Sequence, residues 1–236
     1  MGAQKAAWQP AFRAELADAI SDDKVQALLD MTKAFETIPH RVLAQTARKH
    51  GYNLALLRLS VAAYRISRTV GLDGVQSAPM QATRGITAGS GFATTELRIL
   101  MQDVVLRTLE DWGPMIGLTL FVDDLTVETS GTPADAARRC AAAVDYIIKI
   151  LEDEMGFTVS LKKSVVVSSS PVAAVATVAL AQTKRLTAVK IAKLLGTATT
   201  AASRTSGWAV TSASTSSDEM FSPRRRMASL RRSTKK

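Results

Sequence analysis

The spacing of apolar and polar residues predicts a mixture of helices and short strands. Five segments are predicted to be helices: residues 5–20, 39–51, 54–67, 94–112 and 132–156. In the last two, apolar residues recur every three or four positions and form one face. The apolar run at residues 25–29 has the length of a buried strand, although periodicity alone does not separate such a strand from a helix. Alternation over residues 119–129 predicts a β-hairpin.

Capping and turn residues mark the ends of several elements. Thr132, Pro133 and Asp135 together are typical of a helix N-terminus, and Gly156 is typical of a helix end. The pair Asp73-Gly74 predicts the turn of a second hairpin. These signals make the helix that begins at Thr132 the best-defined element in the chain.

The last third of the chain predicts short strands, a small helix and a tail. Strands are expected within residues 157–168 and as a pair around residues 190–201. From residue 203 the regular pattern is lost in a basic tail rich in Ser, Thr and Arg, which predicts disorder. The tail is interpreted as a nucleic-acid arm, a nuclear import signal or a read-through end without function, and the sequence leaves these open. The predicted fold class is α+β, a small antiparallel sheet backed by helices.

Net charge points to a polyanionic partner. The chain of 236 residues has a formal charge of +9, and nucleic acid is the commonest partner of such a protein. A basic enzyme with another kind of substrate is the alternative. The first residues lack the apolar run of a signal peptide, so the expected location is the nucleus or cytoplasm and not outside the cell. The apolar stretch at residues 165–181 is interrupted by three serines and a proline, so no membrane span is expected.

Few residues in the chain are soft metal ligands. One cysteine, Cys140, excludes a disulfide framework and a cysteine-rich zinc site. With only His40 and His50, a histidine metal cluster is not expected either. Any bound metal should therefore be held by carboxylate oxygens, which favours Mg²⁺, with Mn²⁺ as the alternative.

Two adjacent acids, Asp123 and Asp124, stand at the tip of the predicted hairpin 119–129. Aspartate is an ordinary turn residue, but Asp-Asp lacks the glycine of the strongest hairpin turns. Two unit charges about 4 Å apart repel by roughly 4 kcal/mol at an effective dielectric constant near 20. The pair is therefore either a plain turn or part of a cation site. If the strand ending at Asp30 lies beside this hairpin, three carboxylates converge, and such a cluster suits the two metal ions of phosphoryl transfer.

Five short motifs resemble those of reverse transcriptases, in the family's order. "LLDMTKAFETIPH" (28–40) resembles the first catalytic motif and "FVDD" (121–124) the second. The segments "RGITAGSGFATTEL" (84–97), "GFTVSLKKS" (156–164) and "KIAKLLGT" (190–197) resemble the glycine-rich loop with its helix, the lysine motif and the primer-grip hairpin. Each motif alone is weak, whereas the ordered set is specific and covers residues 24–200. The first motif is most similar to that of non-LTR retrotransposon and group II intron enzymes.

The resemblance implies a role for each matching residue. Asp30, Asp123 and Asp124 would be the catalytic metal ligands, and Lys163 would protonate the pyrophosphate leaving group, with Lys162 as the alternative lysine. The substrate-binding residues it implies are Phe35, which would exclude a ribose 2′-OH, and Arg84, Gly85 and Gly89 of the glycine-rich loop. Leu195 and Gly196 would belong to the primer grip.

Some positions depart from the family pattern. Ala88 stands where the loop usually has Gln, Gly91 where it has Pro, and Ser160 where the lysine motif has Asn. Leu194 replaces the aromatic residue before the primer-grip Leu-Gly. These changes weaken the expected substrate contacts and leave the predicted metal ligands intact.

The resemblance also implies how the chain is organised. Residues 1–23 are expected to be a helix that is a remnant of the fingers, residues 24–202 a palm-like domain and residues 203–236 the basic tail. Only 29 residues precede Asp30, and the part after Gly196 is short and polar, so we expect a palm fragment of a larger retrotransposon protein, inactive alone.

The expected function is RNA-directed DNA synthesis by two-metal nucleotidyl transfer to a primer 3′-OH. The implied partners are an RNA template, a DNA primer and deoxynucleotides, and the oligomeric state is open. The alternatives are an inactive relic that binds nucleic acid through its charge and an RNA-templated RNA polymerase; Phe35 argues against the latter.

Overall fold

The computed structural model describes residues 3–87, 89–194 and 197–199, which lie in the compact unit Met1–Ser203. The helices are α1 (Ala3–Ala19), α2 (Ala34–Thr37), α3 (His40–Lys49), α4 (Leu54–Tyr64), α5 (Ala93–Trp112), α6 (Pro133–Lys149) and α7 (Pro171–Leu180). The strands are β1 (Asp23–Leu29), β2 (Gly71–Leu72), β3 (Val75–Gln76), β4 (Gly117–Phe121), β5 (Asp124–Gly131), β6 (Val165–Ser168), β7 (Thr187–Ala188), β8 (Ala192–Leu194) and β9 (Thr197–Thr199). The predicted tail 203–236 and the primer-grip residues Leu195 and Gly196 lie outside the described residues.

One mixed sheet, in the order β4-β5-β1-β6-β7, forms the centre of this unit. Its first four strands are antiparallel to their neighbours, and β7 adds a two-residue parallel edge. The predicted α+β fold class is confirmed, with the parallel edge as a difference from the wholly antiparallel sheet that was expected. Within the described residues, no helix is long and apolar enough to cross a bilayer.

Strand β1 is the central strand and is buried on both faces. Val25, Ala27 and Leu29 point into the main core, which they share with the buried faces of α5 and α6. Leu28 packs on the opposite face against Val167 of β6 and Ala192 of β8. Because both faces are covered, Leu28 is apolar although it lies on the face opposite Val25, Ala27 and Leu29, so strict alternation fails at this position.

The helices confirm most of the sequence predictions. Leu97, Leu100, Met101 and Val104 of α5 are buried, whereas Val105 is only half-buried. Helix α6 begins as predicted, because the Thr132 hydroxyl accepts a hydrogen bond from the backbone N–H of Asp135. It continues into a π-helical turn at Ile150–Glu154 and ends before Gly156, whose φ is +73°.

Two predicted elements are shorter than expected. Helix α4 ends at Tyr64 instead of continuing to residue 67, because the backbone of Arg68 pairs with that of Met80. Strand β6 begins only at Val165, and the residues before it form a turn in which the Ser164 N–H donates to the Ser160 carbonyl. Lys163 therefore lies in a turn and not on a strand.

A small hairpin projects between α4 and α5. Strands β2 and β3 pair around the predicted Asp73-Gly74 turn, and both turn residues have positive φ, 47° and 82°. At its base Arg68 and Met80 exchange two backbone hydrogen bonds of 2.9 Å. All four strand residues of this hairpin are exposed.

A buried ion pair attaches α1 to the sheet. The Lys24 ammonium lies 2.7 Å from a Glu128 carboxylate oxygen and donates to the Pro10 carbonyl of α1 at 2.5 Å. The Arg13 guanidinium of α1 contacts the other Glu128 oxygen at 2.5 Å. Because Lys24 and Glu128 are 4% and 2% exposed, neither charge has water as a substitute partner.

We predict that Glu128→Gln destabilises the protein more than Lys24→Met does. Glu128→Gln leaves a buried ammonium without its counter-charge and should cost about 3–5 kcal/mol in the free energy of unfolding. Lys24→Met leaves Glu128 paired with Arg13 and should cost less. Urea unfolding of both variants beside the wild type measures the difference. Equal losses, or a larger loss for Lys24→Met, would contradict this order.

Candidate active site

Asp30 and Asp124 lie at the same end of two paired strands. The last residue pair of the β1–β5 ladder is Leu29 with Leu125, so the next position sets Asp30 opposite Asp124. Both acids line one cleft of about 310 Å³ together with Lys163. Its other lining residues are mostly apolar: Leu28, Leu29, Leu125, Val165, Val189, Ile191 and Ala192. The predicted convergence of β1 with the hairpin is therefore present for these two acids.

The hairpin turn is centred on Val122 and Asp123. Phe121 and Asp124 form the last pair of the β4–β5 ladder, so Asp124 belongs to the strand and only Asp123 to the turn. The expectation that both acids occupy the turn is wrong by this one residue. The side chain of Asp123 is not among those that line the cleft.

Val122 has an uncommon backbone conformation for its residue type. Its φ is +58°, whereas Asp123 has no positive φ, a combination that matches a type II′ turn with valine where glycine is usual. For a β-branched residue such a conformation costs of order 1–3 kcal/mol. The surrounding structure holds this turn in place, since Val122 packs against the main core.

Burial and the neighbouring acids both oppose ionisation of Asp124. Burial is the main cause that raises the pKa of Asp124 above its usual value, and the charges of Asp123 and Asp30 add to the effect. One carboxylate oxygen of Asp30 is buried without a hydrogen-bond donor in the described part of the chain. Its nearest cation is the Lys163 ammonium at 3.6 Å, on a side chain that is 71% exposed.

Two serines hold the backbone of Asp30. The Asp30 N–H donates to the Ser164 hydroxyl at 3.1 Å, and the Ser160 N–H donates to the Asp30 carbonyl at 2.8 Å. Ser164 is fully buried, and it follows Lys163 directly. Ser164 is not among the residues predicted from the sequence, although the hydroxyl residue after the lysine is part of the motif that "GFTVSLKKS" resembles.

A divalent cation fits the chemistry of these acids. Ionised carboxylates only accept hydrogen bonds, and one buried oxygen of Asp30 has no donor in the described part of the chain. A nearby cation would give this oxygen a partner and would lower the raised pKa of Asp124. Among residues 3–87, 89–194 and 197–199, however, no three His, Cys, Asp or Glu side chains are close enough to surround one ion. Asp30 and Asp124 are therefore the pair that the fold itself brings together.

The glycine-rich loop, defined here as residues 84–87 and 89–91, is tied to the first motif. The Ile86 N–H donates to the Phe35 carbonyl and the Gly85 N–H to the Ile38 carbonyl, both at 2.7 Å. Gly85 has φ of +95°, and a Cβ there would lie 3.0 Å from the Glu36 carbonyl oxygen. His40, which the sequence analysis did not assign, hydrogen-bonds the Gly85 carbonyl through Nε2 at 2.8 Å. Only glycine suits position 85.

The remaining predicted residues are more exposed. Arg84 pairs through its backbone with Pro39 and exposes its side chain. Gly89 has φ of +87° with open space around it, so its conformation and not its size requires glycine. Phe35 is half-buried against the main core, which leaves part of its ring available.

We predict that Asp124→Asn stabilises the metal-free protein at neutral pH. Because the pKa of Asp124 is raised in the folded state, its ionisation lowers the free energy of unfolding. This loss of stability begins when the pH exceeds the unfolded-state pKa near 4 and is complete above the folded-state pKa. Asp124 is only half-buried, so solvent screening limits the gain: removing the charge should raise the melting temperature at pH 7 by less than about 2–4 °C, the shift that corresponds to about 1 kcal/mol in a protein of this size. The gain should vanish below about pH 4.

The exposed acid Asp18 of α1 provides the matched control. Asp18→Asn removes the same charge far from the cleft and should not reproduce the pH-dependent gain. Millimolar Mg²⁺ or Mn²⁺ should raise the melting temperature of the wild type and of Asp18→Asn more than that of Asp124→Asn. Equal metal responses in all three proteins would contradict a cation site at Asp124.

Comparison with known proteins identifies the family. The family model described as reverse transcriptase (RNA-dependent DNA polymerase) matches residues 3–199. No curated protein matches the chain at a significant level. Solved structures with the same fold include two telomerases. Apo telomerase from Candida tropicalis truncated from its C-terminal domain has a TM-score of 0.52 and 15% identity, and the match covers 70% of this chain and 35% of that one. Telomerase from Candida albicans in complex with a TWJ fragment of telomeric RNA has a TM-score of 0.57 and 14% identity, and the match covers 85% of this chain and 34% of that one.

A third structure, telomerase from Candida tropicalis with the TWJ fragment of telomeric RNA, has a TM-score of 0.54 and 14% identity and covers 71% of this chain and 29% of that one. At these identities the likeness shows the fold alone. The chain spans about a third of the length of the telomerase chains that it matches. Because the family model covers most of the sequence, the chain belongs to the reverse transcriptase family, whose members use divalent metal ions.

Proposed function

We propose that this chain is the palm of an RNA-directed DNA polymerase that extends a primer 3′-OH along an RNA template with deoxynucleotides. The observation that carries the proposal is the placement of Asp30 opposite Asp124 in one cleft with Lys163 beside them. A cleft that contains two acids and an adjacent, exposed ammonium suits a reaction that moves a phosphoryl group between oxygens. The resemblance of the first motif favours a retrotransposon as the source.

Asp30 and Asp124 would hold the metal inside the cleft, and Mg²⁺ is the proposed ion. Asp123, in the adjacent turn and outside the cleft lining, is the third proposed ligand and would reach the ion only after its side chain turns toward the cleft. A bound metal would lower the pKa of the attacking hydroxyl and would neutralise the negative charge that develops on the leaving oxygen. Mn²⁺ has the same preference for oxygen ligands and is the alternative.

Lys163 is proposed as the group that donates a proton to the leaving pyrophosphate. Its side chain reaches from the turn before β6 and is 71% exposed, so it is free to move toward a substrate. In the described structure its nearest acid is Asp30. Lys162 is exposed in the same turn but does not line the cleft, which favours Lys163 of the two.

An RNA template and a DNA primer are the proposed partners, and the charge distribution supports them. Residues 39–84 include six arginines and one acid, Asp73. All six arginine side chains are exposed, and none has a carboxylate partner within the described residues: Arg41, Arg48, Arg58, Arg65, Arg68 and Arg84. Exposed, unpaired arginines suit phosphate groups. They also favour the second candidate function, binding of nucleic acid without catalysis.

We predict that Asp123→Asn strongly slows primer extension under any condition in which the wild type extends the primer. The assay is extension of a DNA primer on an RNA template with Mg²⁺ and deoxynucleotides, after circular dichroism has shown that both proteins are folded. Loss of one charge-stabilising group should lower the rate by about 10²–10³-fold. Asp18→Asn, which removes an exposed acid of α1, should leave the rate unchanged.

The assay also separates the two candidate functions. Full extension by Asp123→Asn would refute the assignment of the metal ligands. A folded wild type that binds the template–primer, but does not extend it with either metal, would favour the binding function for this chain.

We predict that Phe35→Ala weakens discrimination against ribonucleotides. Phe35 belongs to α2 and accepts the Ile86 N–H through its carbonyl, which places the residue beside the glycine-rich loop, while its ring packs partly against the main core. Without the ring, the ratio of kcat/KM for deoxynucleotide to that for ribonucleotide should fall by about 10–10²-fold. Phe35→Tyr, which keeps the ring, is the matched control. An unchanged ratio in Phe35→Ala would mean that the ring only fills the core.

A further inference from the structure

A fully buried carboxylate lies behind the glycine-rich loop, outside the cleft described above. Glu96, in the first turn of α5, has no exposed surface, and Tyr64, the last residue of α4, is 2% exposed. The Tyr64 hydroxyl oxygen lies 2.8 Å from one Glu96 oxygen and 3.1 Å from the hydroxyl oxygen of Ser90 in the loop. The second Glu96 oxygen has no hydrogen-bond partner in the described part of the chain.

The directions of these hydrogen bonds follow from the number of protons. A phenol has one proton and a carboxylate none, so Tyr64 donates to Glu96 and the Ser90 hydroxyl donates to Tyr64. The backbone N–H of Phe92, the residue before α5, donates in turn to the Ser90 oxygen at 3.4 Å. Burial raises the pKa of Tyr64, and the hydrogen bond and charge of Glu96 raise it further, which keeps the phenol protonated as a donor. The hydrogen bonds therefore run in one direction, from the Phe92 N–H through the hydroxyls of Ser90 and Tyr64 to the Glu96 carboxylate.

Both described ends of the loop are held by buried polar side chains. His40 binds the Gly85 carbonyl at one end, and Tyr64 binds Ser90 at the other. The rings of His40 and Tyr64 are 6.2 Å apart, so the two anchors belong to one cluster. This cluster links α3, α4 and α5 to a loop whose backbone also contacts Phe35.

A carboxylate is an expensive way to fill a core position. Burying an ionised group without a positive partner is unfavourable, and an apolar side chain of similar size would pack there at no such cost. Within the described residues, Glu96 forms no ion pair with a cation. The positive field on its carboxylate comes from the N-terminal end of the α5 dipole, because Glu96 lies in the first turn of that helix. What Glu96 provides and an apolar residue does not is a fixed acceptor that orients Tyr64 toward Ser90.

We propose that Tyr64 and Glu96 are positioning residues that hold the glycine-rich loop in the conformation against which the incoming nucleotide binds. The loop-holding role stands on the buried hydrogen bonds, whereas the consequence for nucleotide binding rests on the proposed polymerase function. Neither residue touches the reacting atoms. Their effect reaches the substrate through Ser90 and the backbone of the loop.

The test compares single and double replacements of the pair. Tyr64→Phe and Glu96→Leu each leave a buried polar partner unsatisfied and should destabilise the protein in urea unfolding. The double variant Tyr64→Phe/Glu96→Leu removes both polar groups and should recover most of the stability. The conservative variant Glu96→Gln keeps an acceptor for Tyr64 and should behave like the wild type in loop exchange.

Two readouts then separate positioning from packing. In the double variant we expect the KM for deoxynucleotide to rise about 10-fold, the effect of one lost hydrogen bond to the loop, with a smaller change in kcat. We also expect amide hydrogen exchange at Ile86 and Ala93, which donate to the Phe35 and Ser90 carbonyls, to become about 10-fold faster. Glu96→Gln should keep both values near those of the wild type.

The outcomes are decisive in either case. A double variant of normal stability with wild-type KM and wild-type exchange overturns the proposal, because the pair then only fills the core. If the wild type does not extend primers, as expected of a palm fragment that is inactive alone, amide exchange alone decides the loop-holding role. Faster exchange in the double variant, restored in Glu96→Gln, supports that role, and unchanged exchange overturns it.

Discussion

The antiparallel pairing of β1 with β5 determines where every other part of the site lies. Seven residue pairs, from Asp23 with Gly131 to Leu29 with Leu125, fix the register of the two strands. A shift of one residue would turn Val25, Ala27 and Leu29 away from the core, so burial of these side chains also fixes the position of Asp30. The apolar half of the sheet thus enforces the approach of two like charges that repel each other. Stability elsewhere maintains an arrangement that is unfavourable until a cation is present.

The motifs contact one another largely through backbone atoms. Asp30 is held by the lysine-motif residues Ser160 and Ser164, while the glycine-rich loop is held by the carbonyls of Phe35 and Ile38. Hydrogen bonds between backbone N–H and C=O groups do not depend on which side chains the two residues carry. This explains how Ser160, which departs from the family's Asn, still supplies a donor to Asp30.

The parts of the fold that could be predicted are those in which local sequence and tertiary packing agree. Helix α6 has a capping threonine, an early proline and one apolar face, and each signal is satisfied in the structure. Strand β6 was predicted too long because the alternation of apolar residues continues through a turn that is stabilised by Ser160 and Ser164. The position of Asp124 on the strand depends on which two residues form the turn, and a valine with positive φ at Val122 contradicts local preference. The burial of Glu96 could not be predicted from the sequence, because Glu96 occupies a position of α5 outside the predicted apolar face. It depends on tertiary packing, in which Tyr64 approaches the Glu96 carboxylate.

The β2–β3 hairpin bears on how proteins of this fold vary in size. Its base is closed by the reciprocal hydrogen bonds of Arg68 and Met80, and its strand residues are exposed. Lengthening a loop whose ends are already joined costs little, roughly 0.6 kcal/mol for each doubling of its length. A segment of many residues, even one that folds by itself, can therefore replace the turn at Asp73 and Gly74 without moving Asp30 or the glycine-rich loop. The hairpin marks a position where evolution, or a protein engineer, can add a new module to the palm.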